Sequence, residues 1–116
     1  MADKKKKIEI LYRGKKYELV FNLNVMELVQ EEYGSVEAWG NLTEAADEPN
    51  AKALKFGLGA MINEGIDIYN EDHEENKREF FTDKQIGRII SEVGLQNVAK
   101  SINKTVVEST KSDEKN

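Results

Sequence analysis

The sequence predicts a single α+β domain, mostly helical, in which an N-terminal β-hairpin packs on a bundle of four to five helices. Two patterns predict this class. Apolar residues alternate with polar ones over residues 8–21, which is typical of strands, and they recur every three to four residues over residues 25–106, which is typical of helices. A length of 116 residues fits one domain, which we assign to residues 1–109.

The hairpin is predicted from two runs of alternating residues that flank Gly14, a residue able to adopt the positive φ of a primed two-residue turn. The expected register pairs Tyr12 with Tyr17, Ile10 with Leu19 and Ile8 with Phe21. All six side chains would then lie on one face. Because an isolated hairpin is marginally stable in water, we expect the helices to cover this face.

The first two helices are predicted from their ends. Asn24 is the expected N-cap of a helix over residues 25–33, and Gly34 ends that helix. Ser35 then caps a second helix, which ends before the only proline of the chain. Its apolar stripe consists of Val36, Trp39, Leu42 and Ala46.

Asn50 is the expected cap of a third and longest helix, suited to the centre of the bundle. Its apolar stripe consists of Leu54, Leu58, Met61, Ile62 and Tyr69. Gly57, Gly59 and Gly65 interrupt this helix, and each costs about 1 kcal/mol relative to alanine at an exposed helical position. We therefore expect close packing at these glycines.

The rest of the chain is predicted to form an acidic surface loop over residues 70–79 and two further helices. Thr82 and Gln85 form a capping box, and Gly94 ends the helix that follows. The apolar residues of that helix are Ile86, Ile89, Ile90 and Val93. A fifth helix starts at Leu95, and residues 110–116 are expected to be a disordered polar tail.

No catalytic or metal-binding pattern is found. The chain has no cysteine, and its one histidine, His73, supplies a single imidazole where a catalytic zinc usually has three protein ligands. Gly57 and Gly59 lack the third glycine and the preceding strand of a dinucleotide-binding loop. We therefore expect a protein that is not an enzyme and that holds no cofactor or metal.

Charge argues against nucleic acid as a partner. With 17 basic and 22 acidic residues the net charge is −5, which repels phosphate, and the late helix offers only Lys84 and Arg88. The run from Lys4 to Lys7 is interpreted as a solvated end of the first strand. No membrane span or secretory leader is predicted, so we expect a cytoplasmic protein.

Aromatic residues are the candidates for binding a partner: Trp39, Phe56, Phe80 and Phe81. In an extended segment Phe80 and Phe81 would point to opposite sides, so one could be exposed. Because aromatic side chains bury readily, the favoured expectation is that both fold back onto the core. Trp39 lies on an apolar helix stripe, a position typical of a core residue, but tryptophan is also enriched at interfaces.

The order of segments resembles the tail assembly chaperones of long-tailed bacteriophages and related prophages. The second strand runs into Tyr-Glu-Leu-Val-Phe-Asn-Leu-Asn at residues 17–24, and an acidic helix follows at residues 26–35. Residues 54–58, Leu-Lys-Phe-Gly-Leu, lie in the long helix, and a threonine-capped helix follows later. The resemblance covers residues 8–107.

The resemblance implies a chaperone that binds the tape-measure protein and keeps it soluble until the tail tube polymerises, in the cytoplasm of the bacterial host. The tail tube protein is a second candidate partner, and a homo-oligomer is left open. Two alternatives also stay open. One is another phage structural or adaptor protein of the head–tail connector type, and the other is a small nucleic-acid-binding regulator.

Overall fold

The computed structural model describes residues 7–44 and 48–114, and these parts contain a two-stranded hairpin followed by five helices, as predicted. The elements are β1 (Glu9–Tyr12), β2 (Lys15–Glu18), α1 (Leu23–Tyr33), α2 (Val36–Thr43), α3 (Ala51–Asp72), α4 (Asp83–Val93) and α5 (Leu95–Glu114). Ala46 of the predicted second stripe, the first three lysines of the N-terminal run and the last two residues of the predicted tail lie outside the described residues.

The hairpin has the predicted face but a different register. Its loop contains only Arg13 and Gly14, both at positive φ (52° and 82°), so Tyr12 pairs with Lys15 and Ile10 pairs with Tyr17. The predicted register, which paired Tyr12 with Tyr17, was wrong by two residues because it placed Lys15 in the loop instead of in the second strand. A shift of two residues keeps every side chain on its original face, so the apolar face was predicted correctly.

Helices cover the apolar face of the hairpin. Ile10, Leu19 and Phe21 are buried in the core, while Leu11 on the opposite face remains 63% exposed. The chain just after β2 contacts α3, where the Val20 amide donates a hydrogen bond of 3.3 Å to the carbonyl oxygen of Met61. The hairpin is therefore attached to the bundle through α3.

Three of the four predicted N-caps are confirmed, and the cap of α1 is two residues earlier than predicted. Asn22 has the extended backbone that a cap needs, and its Oδ1 accepts a hydrogen bond of 3.2 Å from the Val25 amide. Asn24, the predicted cap, lies within the helix, and its side-chain amide donates to Glu64 Oε2 over 3.1 Å. The confirmed caps are Ser35, Asn50 and Thr82.

α3 is the central element and contacts every other helix as well as β2. Its buried residues are Ala53, Leu54, Gly57, Leu58, Met61, Ile62 and Ile66. Two of its glycines make the predicted close contacts: a Cβ atom at Gly57 would overlap the Trp39 ring, and one at Gly65 would overlap the carbonyl oxygen of Glu18. At these two positions α2 and the hairpin approach α3 more closely than alanine would allow.

Two helices are longer than predicted. α3 continues to Asp72, so the surface loop starts at His73 rather than at Asn70. α5 continues to Glu114, through most of the segment expected to be a disordered tail. That segment contains neither glycine nor proline, and extending an existing helix costs much less free energy than starting one.

Candidate partner-binding site

Trp39 is a core residue. Its side chain is 1% exposed, its Nε1 donates a hydrogen bond of 3.1 Å to the carbonyl oxygen of Ala53, and its ring stacks on Phe21 at a centroid distance of 6.2 Å. The apolar stripe of α2 therefore faces the protein interior at this position. Trp39, one of the four aromatic candidates, stabilises the fold and is not accessible to a partner.

Phe80 and Phe81 differ in burial, so the expectation that both fold onto the core is right for Phe81 and wrong for Phe80. Phe81 packs edge-on against Tyr12 and Tyr17 of the hairpin, at centroid distances of 6.1 and 5.1 Å. Phe80 points away from these rings and is 53% exposed. Only one member of the aromatic pair is therefore presented to solvent.

Two asparagines on α3 hold the segment that carries Phe80. Asn63 Nδ2 donates to the carbonyl oxygen of Phe81 over 3.0 Å, and its Oδ1 accepts from the Phe81 amide over 2.9 Å. Asn70 makes the same pair of bonds to the backbone of Arg78, at 3.0 and 2.8 Å. Seven residues make two helical turns, so both asparagines lie on one face of α3 and fix residues 78–81 along it.

Arg78 attaches the same segment to the hairpin. Its guanidinium lies 4.9 Å from the ring centroid of Tyr17 and 4.2 Å from that of Tyr69, and it donates a hydrogen bond of 3.1 Å to the carbonyl oxygen of Lys16. Cation–π contacts of this kind are favourable even when partly exposed. The acidic loop therefore ends in a segment with defined contacts on two sides.

An apolar groove of about 460 Å³ brings the remaining three aromatic candidates together. Its floor is the outer face of α3, one wall contains Leu28 of α1, and the other wall contains Phe80 and Phe81. Phe56 lies at one end of the floor, where its ring packs edge-on against Tyr33 at 5.6 Å. The lining residues are Leu28, Lys55, Phe56, Gly59, Ala60, Asn63, Glu64, Asp67, Phe80, Phe81, Asp83 and Ile86.

The floor follows three turns of α3. Its lining positions run from Lys55 to Asp67, a helix length of about 18 Å at 1.5 Å per residue. Gly59 and Ala60 occupy the middle of this stretch, between the larger Phe56 and Asn63. The floor side chains are therefore smallest near the middle of the groove.

Four charged residues lie at the edge of the groove. Three are the acidic residues Glu64, Asp67 and Asp83, and the fourth is Lys55. Lys55 Nζ forms an ion pair of 3.0 Å with Asp83 Oδ2. Glu64 Oε2 accepts hydrogen bonds from the neutral amides of Asn22 and Asn24, which leave its charge uncompensated. The groove therefore combines an apolar floor with a negative edge.

Two ionisable groups outside this edge have local structural roles. The Tyr33 hydroxyl is buried without a hydrogen-bond partner, and this burial, with a smaller contribution from Glu32, raises the pKa of the phenol above its ordinary value. His73 stacks on Tyr69 at 3.7 Å, and its Nδ1 donates to the Tyr69 carbonyl oxygen at the end of α3. Among the side chains that the structure describes, no three acidic or histidine residues cluster as metal ligands would.

Sequence reasoning did not identify Leu28, Gly59 or Asn63 as parts of a surface site. Leu28 is 45% exposed because it lies beside, and not on, the buried stripe of Val25 and Val29. Asn63 carries a signal that was available, since it directly follows the buried pair Met61 and Ile62 in a helix. A polar residue at such a position needs a hydrogen-bond partner, which the backbone of Phe81 provides.

No helix within the described stretches of the chain has the length and apolar character needed to cross a membrane. No protein-family model, curated protein or solved structure matches the chain.

Proposed function

We propose that this protein is a tail assembly chaperone of a phage or prophage, which binds the tape-measure protein and keeps it soluble until the tail tube polymerises around it. It would act in the cytoplasm of the bacterial host, catalyse no reaction and need no cofactor. The tail tube protein is a second candidate partner. The groove along α3 is the single observation that best supports a role in binding another chain.

The groove suits this role because it exposes apolar surface that a partner could bury. Phe80 and Leu28 leave about half of their side-chain surfaces in water, at 53% and 45% exposure. Burying apolar surface contributes about 25 cal/mol per Å² before the entropy of association is subtracted. An amphipathic helix laid in such a groove can bury three or four anchoring side chains.

The overall charge supports a chaperone that keeps its partner in solution. A net charge of −5 on 116 residues provides repulsion between copies of this protein, which opposes their aggregation. The carboxylates of Glu64 and Asp67 at the groove also disfavour phosphate, so the nucleic-acid alternative gains no support from this surface.

Co-expression with the tape-measure protein, which we expect to be a long helical protein encoded by a neighbouring gene, tests the proposal. We expect the wild-type protein to raise the soluble yield of that neighbour several-fold and Phe80→Ser to lose most of the increase. Phe80 is more than half exposed, so its replacement should leave the fold intact. The soluble fraction of the neighbour, measured at equal expression, gives the result.

Leu11→Ser is the matched control, because Leu11 is as exposed as Phe80 but lies on the outer face of the hairpin, outside the groove. It should support solubility as well as the wild type does. An unchanged yield with the wild-type protein, with both chains folded, would argue against the chaperone function. Equal activity of Phe80→Ser and the wild type would place the binding site elsewhere.

A further inference from the structure

Gly59 differs from Gly57 and Gly65, the other two glycines of α3, because no close contact within the protein requires a glycine at residue 59. A Cβ atom at Gly57 or Gly65 would overlap a neighbouring group, whereas one at Gly59 would lie 3.5 Å from Ile86 Cγ1, an ordinary van der Waals distance. Glycine is less favourable than alanine inside a helix. Stability of the fold alone would therefore favour alanine at residue 59.

The position of Gly59 indicates what a side chain there would obstruct. It lies at the middle of the groove floor next to Ala60, and both line the groove directly. Without a Cβ atom at this point, the backbone of a bound segment can approach α3 closely. The partly buried ring of Phe56 and the exposed ring of Phe80 also line the groove and can contact the side chains of that segment.

The groove favours a helix over an extended strand as its occupant. A bound strand would need a row of free backbone amides and carbonyl oxygens along one edge. The four-residue wall that carries Phe80 offers such groups only at Glu79 and Phe80. Its amides at Arg78 and Phe81 are bonded to Asn70 and Asn63 of α3, as are the carbonyl oxygens of the same two residues. A helix bonds its own backbone and needs only apolar and charged contacts.

The negative edge selects the charge of the occupant. At one end of the floor, Lys55 and Asp83 form an ion pair and neutralise each other's charge. Towards the other end, neither Glu64 nor Asp67 forms an ion pair with any residue in the described parts of the chain. These two carboxylates, one helical turn apart, are available to pair with lysine or arginine side chains.

We propose that the groove receives a basic amphipathic helix of about three turns, whose small residue packs against Gly59 and whose lysine or arginine side chains pair with Glu64 and Asp67. The inference rests on the proposed function for the identity of the partner, the tape-measure protein, but the chemistry of the bound segment follows from the groove.

Two synthetic peptides of about 18 residues test the charge preference, since three turns in the groove need only about 11 residues but isolated helices shorter than about 12–15 residues are marginally stable in water. Both carry the same leucine and alanine stripe at helical spacing, flanked by lysine in one peptide and by glutamate in the other. Fluorescence anisotropy with the full-length protein should show the lysine peptide binding at least about tenfold more tightly at low salt. The difference should shrink at high salt, where exposed charges are screened. Asp67→Asn should reduce the preference.

Gly59→Ala tests the role of the glycine and has a matched control in Gly40→Ala. Gly40 lies inside α2, away from the groove, and a Cβ atom there would meet only Glu44 Oε2 at 3.7 Å. Both variants should raise the melting temperature by a few degrees. Only Gly59→Ala should weaken binding of the lysine peptide, by about tenfold or more, and Gly59→Leu should abolish it.

Equal affinity for the two peptides, or unchanged affinity in Gly59→Ala, would overturn this inference. These results can be separated from failure of the proposed function. If co-expression keeps the neighbouring protein soluble but no charge preference is found, the chaperone function stands and the inference fails. If the lysine peptide binds selectively but co-expression has no effect, the inference stands and the chaperone function fails.

Discussion

Replacing Trp39 with alanine is expected to lower the free energy of unfolding by about 3–5 kcal/mol, the usual range for removing a fully buried aromatic side chain. The side chain of Trp39 is 1% exposed, and its ring stacks on Phe21. The ring also fills the space left open by Gly57, and Nε1 donates a hydrogen bond to the carbonyl oxygen of Ala53. Domains of this size are stable by about 5–15 kcal/mol, so the substitution should remove a large part of the stability of the protein. Urea titration measures this loss of stability. Unfolding is followed by circular dichroism because the variant lacks the only tryptophan of the chain, so tryptophan fluorescence cannot be used.

A double-mutant cycle with Gly57 checks the cause of this loss. In the wild-type protein, alanine at residue 57 should be destabilising, because its Cβ atom would overlap the Trp39 ring. In the Trp39→Ala background the same methyl group enters the cavity, so its cost should largely disappear. Additive effects of the two substitutions would contradict the close packing of α2 on α3.

Replacing Gly65 with alanine is expected to lower the free energy of unfolding by at least about 2 kcal/mol. Two effects compete here. Helix propensity favours alanine by about 1 kcal/mol, but the new Cβ atom would overlap the carbonyl oxygen of Glu18, a backbone atom that cannot move away by a rotamer change. Relief requires the hairpin to shift from α3, which would also strain the hydrogen bond between Val20 and Met61. We therefore expect the steric effect to dominate.

Gly40→Ala is the control for the effect of helix propensity, because a Cβ atom at Gly40 would make only an ordinary van der Waals contact. Chemical denaturation of both variants separates the two effects. If Gly65→Ala were as stable as Gly40→Ala, the hairpin would not approach α3 at this point, and the packing described for β2 would be wrong.

The sequence was sufficient for the fold class because local signals agreed with one another. Alternation defined the apolar face of the hairpin, and three asparagine, serine or threonine caps were found at their correct positions. The register failed because both a two-residue and a four-residue loop around Gly14 keep the same face apolar. The α1 cap failed because Asn22 and Asn24 are both suitable residues, and Glu64, distant in sequence, engages both side-chain amides.

The candidate site was predictable only in part. The readiness with which aromatic side chains bury favoured both Phe80 and Phe81 on the core, and this was wrong for Phe80, which is 53% exposed. The groove itself depends on bringing α1, α3 and residues 78–81 together, which no local pattern reveals. The pairing of Asn63 with Phe81 spans 18 residues and the pairing of Arg78 with Lys16 spans 62, so the wall that presents Phe80 is set by tertiary contacts.

Hydrogen-exchange mass spectrometry of the protein alone and mixed with its proposed partner, the tape-measure protein, tests the central claim most directly, since it locates any surface that becomes bound. We expect slower exchange in the complex for α3 over residues 55–67 and for residues 78–83, with no change in β1, whose outer face carries Leu11. Protection confined to the hairpin or to α5, with the groove exchanging as in the free protein, would contradict binding through the groove.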